Sequence, residues 1–274
     1  KLANLDASLR GKPIHGTPGI GHTRWATHGA PSEINSHPHM DCPGRIAVVH
    51  NGIIENYHEL RIELEAQGHK FKSETDTEVI PHLIEAELKA GAASFEEAIR
   101  RALKRSRGAY ALGILSLDHP DTLFAARHGS PLIVGVGKGE QFIASDVPAI
   151  LTETKRVIYL NDGEVVTLRA DGVQITNLDG KAVEHKVHTV TLRAESVERA
   201  GFETFMIKEI HEQPRVLRTL MEKHLGPDDQ LAIKDLALSP EYFRKLNPIM
   251  IVACGTANHA GRYAKLRLET LTRT

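Results

Sequence analysis

The sequence predicts an α+β layered domain followed by the opening unit of a doubly wound α/β domain. Three observations carry that reading. Helical patterns are gathered into residues 56–105 and short strands into residues 109–176, a segregation rather than strict βαβ alternation. The strands are separated by turn signals such as Gly129-Ser130-Pro131, Asn161-Asp162-Gly163 and Asp171-Gly172, as in antiparallel meanders. Near the C-terminus, Pro248 to Cys254 is a near-continuous apolar run of the buried parallel-strand type. Gly255-Thr256 and a helical pattern follow it, and such a helix N-terminus can hold a phosphate.

Taken in order, Lys1 to Leu9 carries leucines at helical spacing. Gly19 to Arg24 and Ile46 to His50 read as extended, the second ending at the turn-prone pair Asn51-Gly52. Asn56 can cap a helix over His58 to Gln67 that stops at Gly68. Thr75 or Asp76 can cap Glu78 to Lys89, where Pro81 is tolerable because it falls near the first turn. Ser94-Phe95-Glu96-Glu97 is a capping box opening a helix to about Arg105. Strands are expected over Ala109–Leu117, Thr122–Ala126, Leu132–Val136, Gln141–Ala144, Val157–Leu160, Val165–Leu168 and Val173–Thr176. A polar linker spans residues 193–204, and Phe205 to Leu225 is a long helical pattern containing Pro214. The expected domains are therefore residues 1–192 and 205–274. Both chain ends cut through helix-like patterns, so truncation at both ends is expected.

Bulk properties narrow the function classes. Over 274 residues, hydrophobic content of 41% and charged content of 25% fit a soluble globular protein with a sizeable core. A net charge of −1 gives no basic footprint for nucleic acid or an anionic membrane. No apolar run is long enough to span a bilayer and no signal peptide is visible. Cys42 and Cys254 are too few for a disulfide framework and suit a reducing cytoplasm.

The densest polar segment is His22-Thr23-Arg24-Trp25-Ala26-Thr27-His28-Gly29, then Asn35-Ser36-His37-Pro38-His39. An arginine among threonines and histidines offers a fork for a carboxylate; a basic surface loop has the same composition. His37, His39 and Cys42 could supply three metal ligands, but Pro38 stiffens the pair and no second cysteine follows at ligand spacing. Asn51-Gly52 reads either as a hairpin turn, which the dipeptide favours, or as an oxyanion site where an amide and a backbone N–H meet developing charge. Glu74-Thr75-Asp76-Thr77-Glu78 places three carboxylates before a helix, for capping or to receive a substrate ammonium. Neither cysteine has the surroundings of an activated nucleophile.

Together with Ser73, these segments resemble, in order and spacing, the glutaminase domain of isomerising glutamine–fructose-6-phosphate amidotransferases, the glucosamine-6-phosphate synthase family. His50-Asn51-Gly52-Ile53-Ile54-Glu55-Asn56, Gly129-Ser130-Pro131-Leu132, Ala144-Ser145-Asp146 and Lys208-Glu209-Ile210-x-Glu212-Gln213-Pro214 extend the match, and Cys254-Gly255-Thr256 resembles a phosphosugar-binding turn. The resemblance implies an N-terminal-nucleophile hydrolase fold, a four-layer α/β/β/α sandwich that is incomplete here, then the start of a sugar isomerase domain. It implies glutamine and fructose 6-phosphate as substrates, a homodimer at full length, and no metal or organic cofactor. By motif, Arg24 would bind the glutamine α-carboxylate, Thr27, His28 and His37 would shape the pocket, and Asp76 would take the α-ammonium. Asn51 and Gly52 would form the oxyanion hole, Trp25 would gate ammonia, and Thr256 would hold phosphate.

Two departures stand out. The family's nucleophile is a cysteine at the mature N-terminus whose own α-amine is the base; this chain is expected to start downstream of it and not to turn over as given. Serine is frequent in the family after Cys-Gly-Thr, whereas Ala257 stands here. Other glutamine amidotransferases fit less well, because the sequence after Lys208 leads into an isomerase-type turn; a non-catalytic glutamine or sugar-phosphate binder is the reading from another class.

Overall fold

The computed structural model describes residues 7, 9–10, 16–24, 28–191, 201–225, 240–246 and 249–273. The chain forms two compact units, Lys1–Glu198 and Arg199–Thr274.

In the first unit the strands are β1 (His39–Met40), β2 (Ile46–Ile54), β3 (Gly108–Ser116), β4 (Leu123–His128), β5 (Ile133–Val136), β6 (Gln141–Ala144), β7 (Arg156–Tyr159), β8 (Glu164–Arg169), β9 (Gly172–Asn177) and β10 (His188–Thr189). Its helices are α1 (Tyr57–Ala66), α2 (Val79–Lys89) and α3 (Phe95–Arg105), with 3-10 turns at Asp76–Glu78 and Val147–Ile150. One sheet has the order β1-β2-β3-β4-β8-β9 and the other β10-β7-β5-β6. Every strand pair is antiparallel.

Period-two alternation explains the layering. On β3, Leu112 and Ile114 face the helices with Val48 and Phe124, packed on Leu64, Leu83 and Ile99. The preceding Ala111 faces the other way, and with Ala125 and Val166 it meets Val134 and Ile158 of the second sheet. α3 supplies its side of the core from one stripe, Phe95, Ala98, Ile99, Ala102 and Leu103, at the spacing of an amphipathic helix. The layers are therefore helix, sheet, sheet. Beyond the second sheet, the 3-10 turn packs Val147 and Ile150 on Ile133 and Val157, and it is the helical element described there. The expected fourth layer is thus a single short turn among the described residues.

The expected strands from residue 109 to 176 form within a residue or two of their expected bounds. Three expectations are corrected. Gly19 to Arg24 forms no strand, having no partner, and Arg24 adopts a left-handed φ of 53° that ends any extended run. Asn51-Gly52 is not a hairpin turn: β2 continues through it to Ile54, with Gly52 opposite Tyr110. Neither Thr75 nor Asp76 caps α2; the 3-10 turn intervenes, and α2 starts after Glu78. The capping serine of α3 forms as expected, Ser94 Oγ accepting from Glu97 N–H at 3.1 Å.

In the second unit, α4 (Phe205–His224) is capped by Thr204 and contains Pro214, and α5 (Pro240–Lys245) and α6 (Gly255–Thr272) follow. The buried strand expected at Pro248–Cys254 is absent from its described residues, 249–254, where Val252 is 87% exposed. A parallel strand needs hydrogen-bonded neighbours, and the described residues of this unit form no strand. The linker expected at 193–204 lies largely outside the described residues. No described helix is long and apolar enough to cross a membrane.

Candidate active site

The motifs converge on one cavity of about 520 Å³ in the first unit, lined by Arg24, His28, His37, Asn51, Gly52 and Asp76 among others. Residues so far apart in sequence meet because β2, paired along its length with β3, ends beside the 3-10 turn that opens α2, and residues 22–24 and 28–37 supply further lining. Asn35 fastens the latter segment: its amide donates to Glu74 Oε2 at 3.0 Å and to Ala30 O at 3.1 Å, while its Oδ1 accepts from Glu74 N–H at 2.9 Å.

Asp76 is buried and held from behind. Its Oδ2 accepts from Ile54 N–H at 2.8 Å, which leaves Oδ1 facing the cavity, 3.7 Å from His28 Nδ1. Arg24 donates to three backbone carbonyls, Ala30 O at 3.2 Å, His28 O at 2.9 Å and Gly29 O at 3.0 Å. A guanidinium has five N–H groups, so two remain for an anion. One cavity thus presents a buried carboxylate and an immobilised cation.

Asn51 is oriented by His22, to which its place in the motif assigns no role. His22 Nδ1 accepts from Arg24 N–H at 2.9 Å, so the neutral ring carries its proton on Nε2 and donates to Asn51 Oδ1 at 2.7 Å. With Oδ1 occupied, both amide N–H groups of Asn51 are free to donate. His50 similarly bridges elements, its Nδ1 bonded to Thr77 Oγ1 at 2.8 Å and its Nε2 near Ala109 O at 3.4 Å. Nothing in the sequence marks these pairs, which are 29 and 27 residues apart.

The floor is kept neutral. Burial first, then the adjacent His22, His39, His50 and Arg24, push the His37 pKa down to about 3. Burial likewise holds His39 and His50 below the ordinary histidine range. His37, His39 and Cys42 do not form a common metal site: His37 packs on His22 with ring centroids 4.2 Å apart. Cys42 instead meets His69 and His82 elsewhere.

Trp25 and Thr27 lie outside the described residues. Thr256 sits exposed in the first turn of α6, in the second unit. Neither Cys42 nor Cys254 lines the cavity.

Residues 22–152 match the family model of a glutamine amidotransferase domain. Over 273 residues, all of this chain, it is 49% identical to the glutamine–fructose-6-phosphate aminotransferase (isomerizing) of Thermus thermophilus. It is 46% identical over 273 residues to the protein of that name from Clostridium perfringens, and 49% over 271 residues to that from Methanothermobacter thermautotrophicus. The chain spans 44% of the length of each of these relatives.

Proposed function

We propose that the cavity binds glutamine and splits its side-chain amide. The reading is supported by the match of residues 22–152 to a glutamine amidotransferase domain and by the similarity of the chain, along its own length, to isomerising glutamine–fructose-6-phosphate aminotransferases. The observation that carries this is the lining itself: Arg24, Asp76, Asn51 and Gly52 around one space. Arg24 pairs with the α-carboxylate and Asp76 with the α-ammonium, so a zwitterion is fixed at both ends. That fixes the direction in which the carboxamide points.

When a nucleophile adds to the carboxamide carbon, the π pair moves to oxygen. The Asn51 amide and the Gly52 N–H stabilise that oxyanion. Collapse, with the proton taken from the nucleophile passed to the amide nitrogen, expels ammonia and leaves an acyl-enzyme. Water hydrolyses this to glutamate and free nucleophile. His22 acts through Asn51, holding its oxygen so that its N–H groups donate. Following the family resemblance, the nucleophile is a cysteine at the mature N-terminus whose α-amine takes the thiol proton. The ammonia passes to fructose 6-phosphate in the remainder of a longer, cytoplasmic, homodimeric protein. Residues 205–274 are the start of its isomerase domain, with Thr256 at the phosphate turn, Trp25 gating the ammonia route, and Thr27, His28 and His37 shaping the glutamine pocket.

Ammonia release from glutamine tests this in a form carrying that N-terminal cysteine. Asn51→Ala is expected to lower kcat by about 10²–10³ with little change in KM. His22→Ala is expected to shift kcat in the same direction by a smaller factor. An Asn51→Ala enzyme with parental kcat would remove Asn51 from the oxyanion site.

A further inference from the structure

Behind the glutamine cavity, on the helical side of the larger sheet, a second cluster is unused by the chemistry above. We propose that Cys42, His69, His82 and Glu85 form a structural site for a divalent transition metal, zinc by their donor set. Their four ligand atoms all lie within 4.8 Å of one another. Cys42 Sγ is 3.7 Å from His69 Nδ1 and 3.5 Å from His82 Nδ1. The two Nδ1 atoms are 3.3 Å apart, and Glu85 Oε2 is 3.2 Å from one and 3.6 Å from the other. A tetrahedron with zinc–nitrogen bonds of about 2.0 Å and a zinc–sulfur bond of about 2.3 Å has N···N edges of about 3.3 Å and S···N edges of about 3.5 Å. The N···N edge and both S···N edges of the cluster already lie close to those lengths.

The surroundings are those of a metal site as well. Glu85 Oε1, the oxygen turned away, accepts from Lys89 Nζ at 2.6 Å. The Cys42 sulfur accepts from Lys70 N–H at 3.4 Å. Coordination through Nδ1 puts the imidazole proton on Nε2, and His82 Nε2, buried without a hydrogen-bond partner, looks toward Glu78 Oε1 at 3.8 Å. A carboxylate beyond a ligating histidine is the usual outer partner. His69, His82 and Glu85 are buried, while Cys42 is on an exposed loop that gives the ion a way in.

On binding, the Cys42 thiol loses its proton to solvent and enters as thiolate; both imidazoles bind neutral. With thiolate, carboxylate and a dication the centre is neutral, as a largely buried site requires. Four protein ligands close the sphere, so the ion is structural rather than catalytic. It ties the loop before β2, the segment after α1, and α2, the elements that deliver Asn51 and Asp76 to the cavity.

The test uses this chain expressed with added zinc. Metal analysis is expected to find about one equivalent per chain, and a chelator to lower Tm. Cobalt substitution is expected to give a thiolate-to-metal charge-transfer band and tetrahedral visible bands. Zinc should slow alkylation of Cys42 and leave that of the exposed Cys254 unchanged. Cys42→Ser, on an exposed loop, should lose the thiolate band, and His69→Gln should lower the metal content. A merely hydrogen-bonded cluster predicts the contrary: no bound metal, no cobalt–thiolate band, and equal alkylation with and without zinc in the parent protein. Those parental results overturn the proposal even if a variant misfolds.

Discussion

His37 shows how a single position in the cavity is tuned. Its Nδ1 is buried without a hydrogen-bond partner among the described residues, and burial, with the neighbouring histidines and Arg24, brings its pKa to about 3. In the unfolded chain it titrates near 6.5. Between those values the unfolded state binds the extra proton, so this contribution is fully present above about pH 6.5 and is lost as pH falls toward 3. Melting temperatures measured across that window should decline, and His37→Gln should make the decline shallower; an unchanged slope would exclude His37 as a source. At this scale the contiguous motifs point to residues that the fold brings to one cavity, as with Arg24, His37, Asn51 and Asp76. They do not show that His22 orients Asn51, or that Cys42 faces His69 and His82 instead of His37. Those pairings span tens of residues, and only the folded chain brings them together.

At the scale of elements, β2 carries the cavity and Gly52 is where it does so. Its φ is 135°, a conformation L side chains rarely adopt. A Cβ there would lie 2.0 Å from Ala109 O and 2.9 Å from Ser130 Oγ. Gly52→Ala is therefore expected to cost on the order of 3 kcal/mol or more, read as a lower denaturation midpoint, and to reduce ammonia release with it. Parental stability would show that this strand tolerates ordinary geometry. Here the dipeptide rule misled: Asn-Gly favours a tight hairpin, but pairing along β3 from Ser116 to Gly108 keeps β2 straight through both residues. Burial and strand pairing outweighed local propensity. The capping serine, the helical stripe of α3 and the strands of both sheets follow local rules, and these were legible for that reason.

At the scale of the molecule, the two units differ in what their residues bury. Among the described residues, the first has three apolar clusters, one beneath the helices, one between the sheets and one outside the second sheet. In the second, α6 buries none of its residues, and Met206, Ile210, Leu217 and Leu271 are exposed. Its expected strand was read from hydrophobicity alone, and a parallel strand exists only beside partners, which no local pattern supplies. Among the described residues, those lining the cavity all belong to the first unit, so ligand recognition is expected to be a property of that unit. The most direct measurement of the central claim is calorimetric titration of L-glutamine into this chain and into Arg24→Ala. One saturable site is expected in the parent, with at least about a tenfold weaker Kd in the variant, a difference of about 1.4 kcal/mol. Equal affinity in the two proteins would contradict the assignment of this cavity to glutamine.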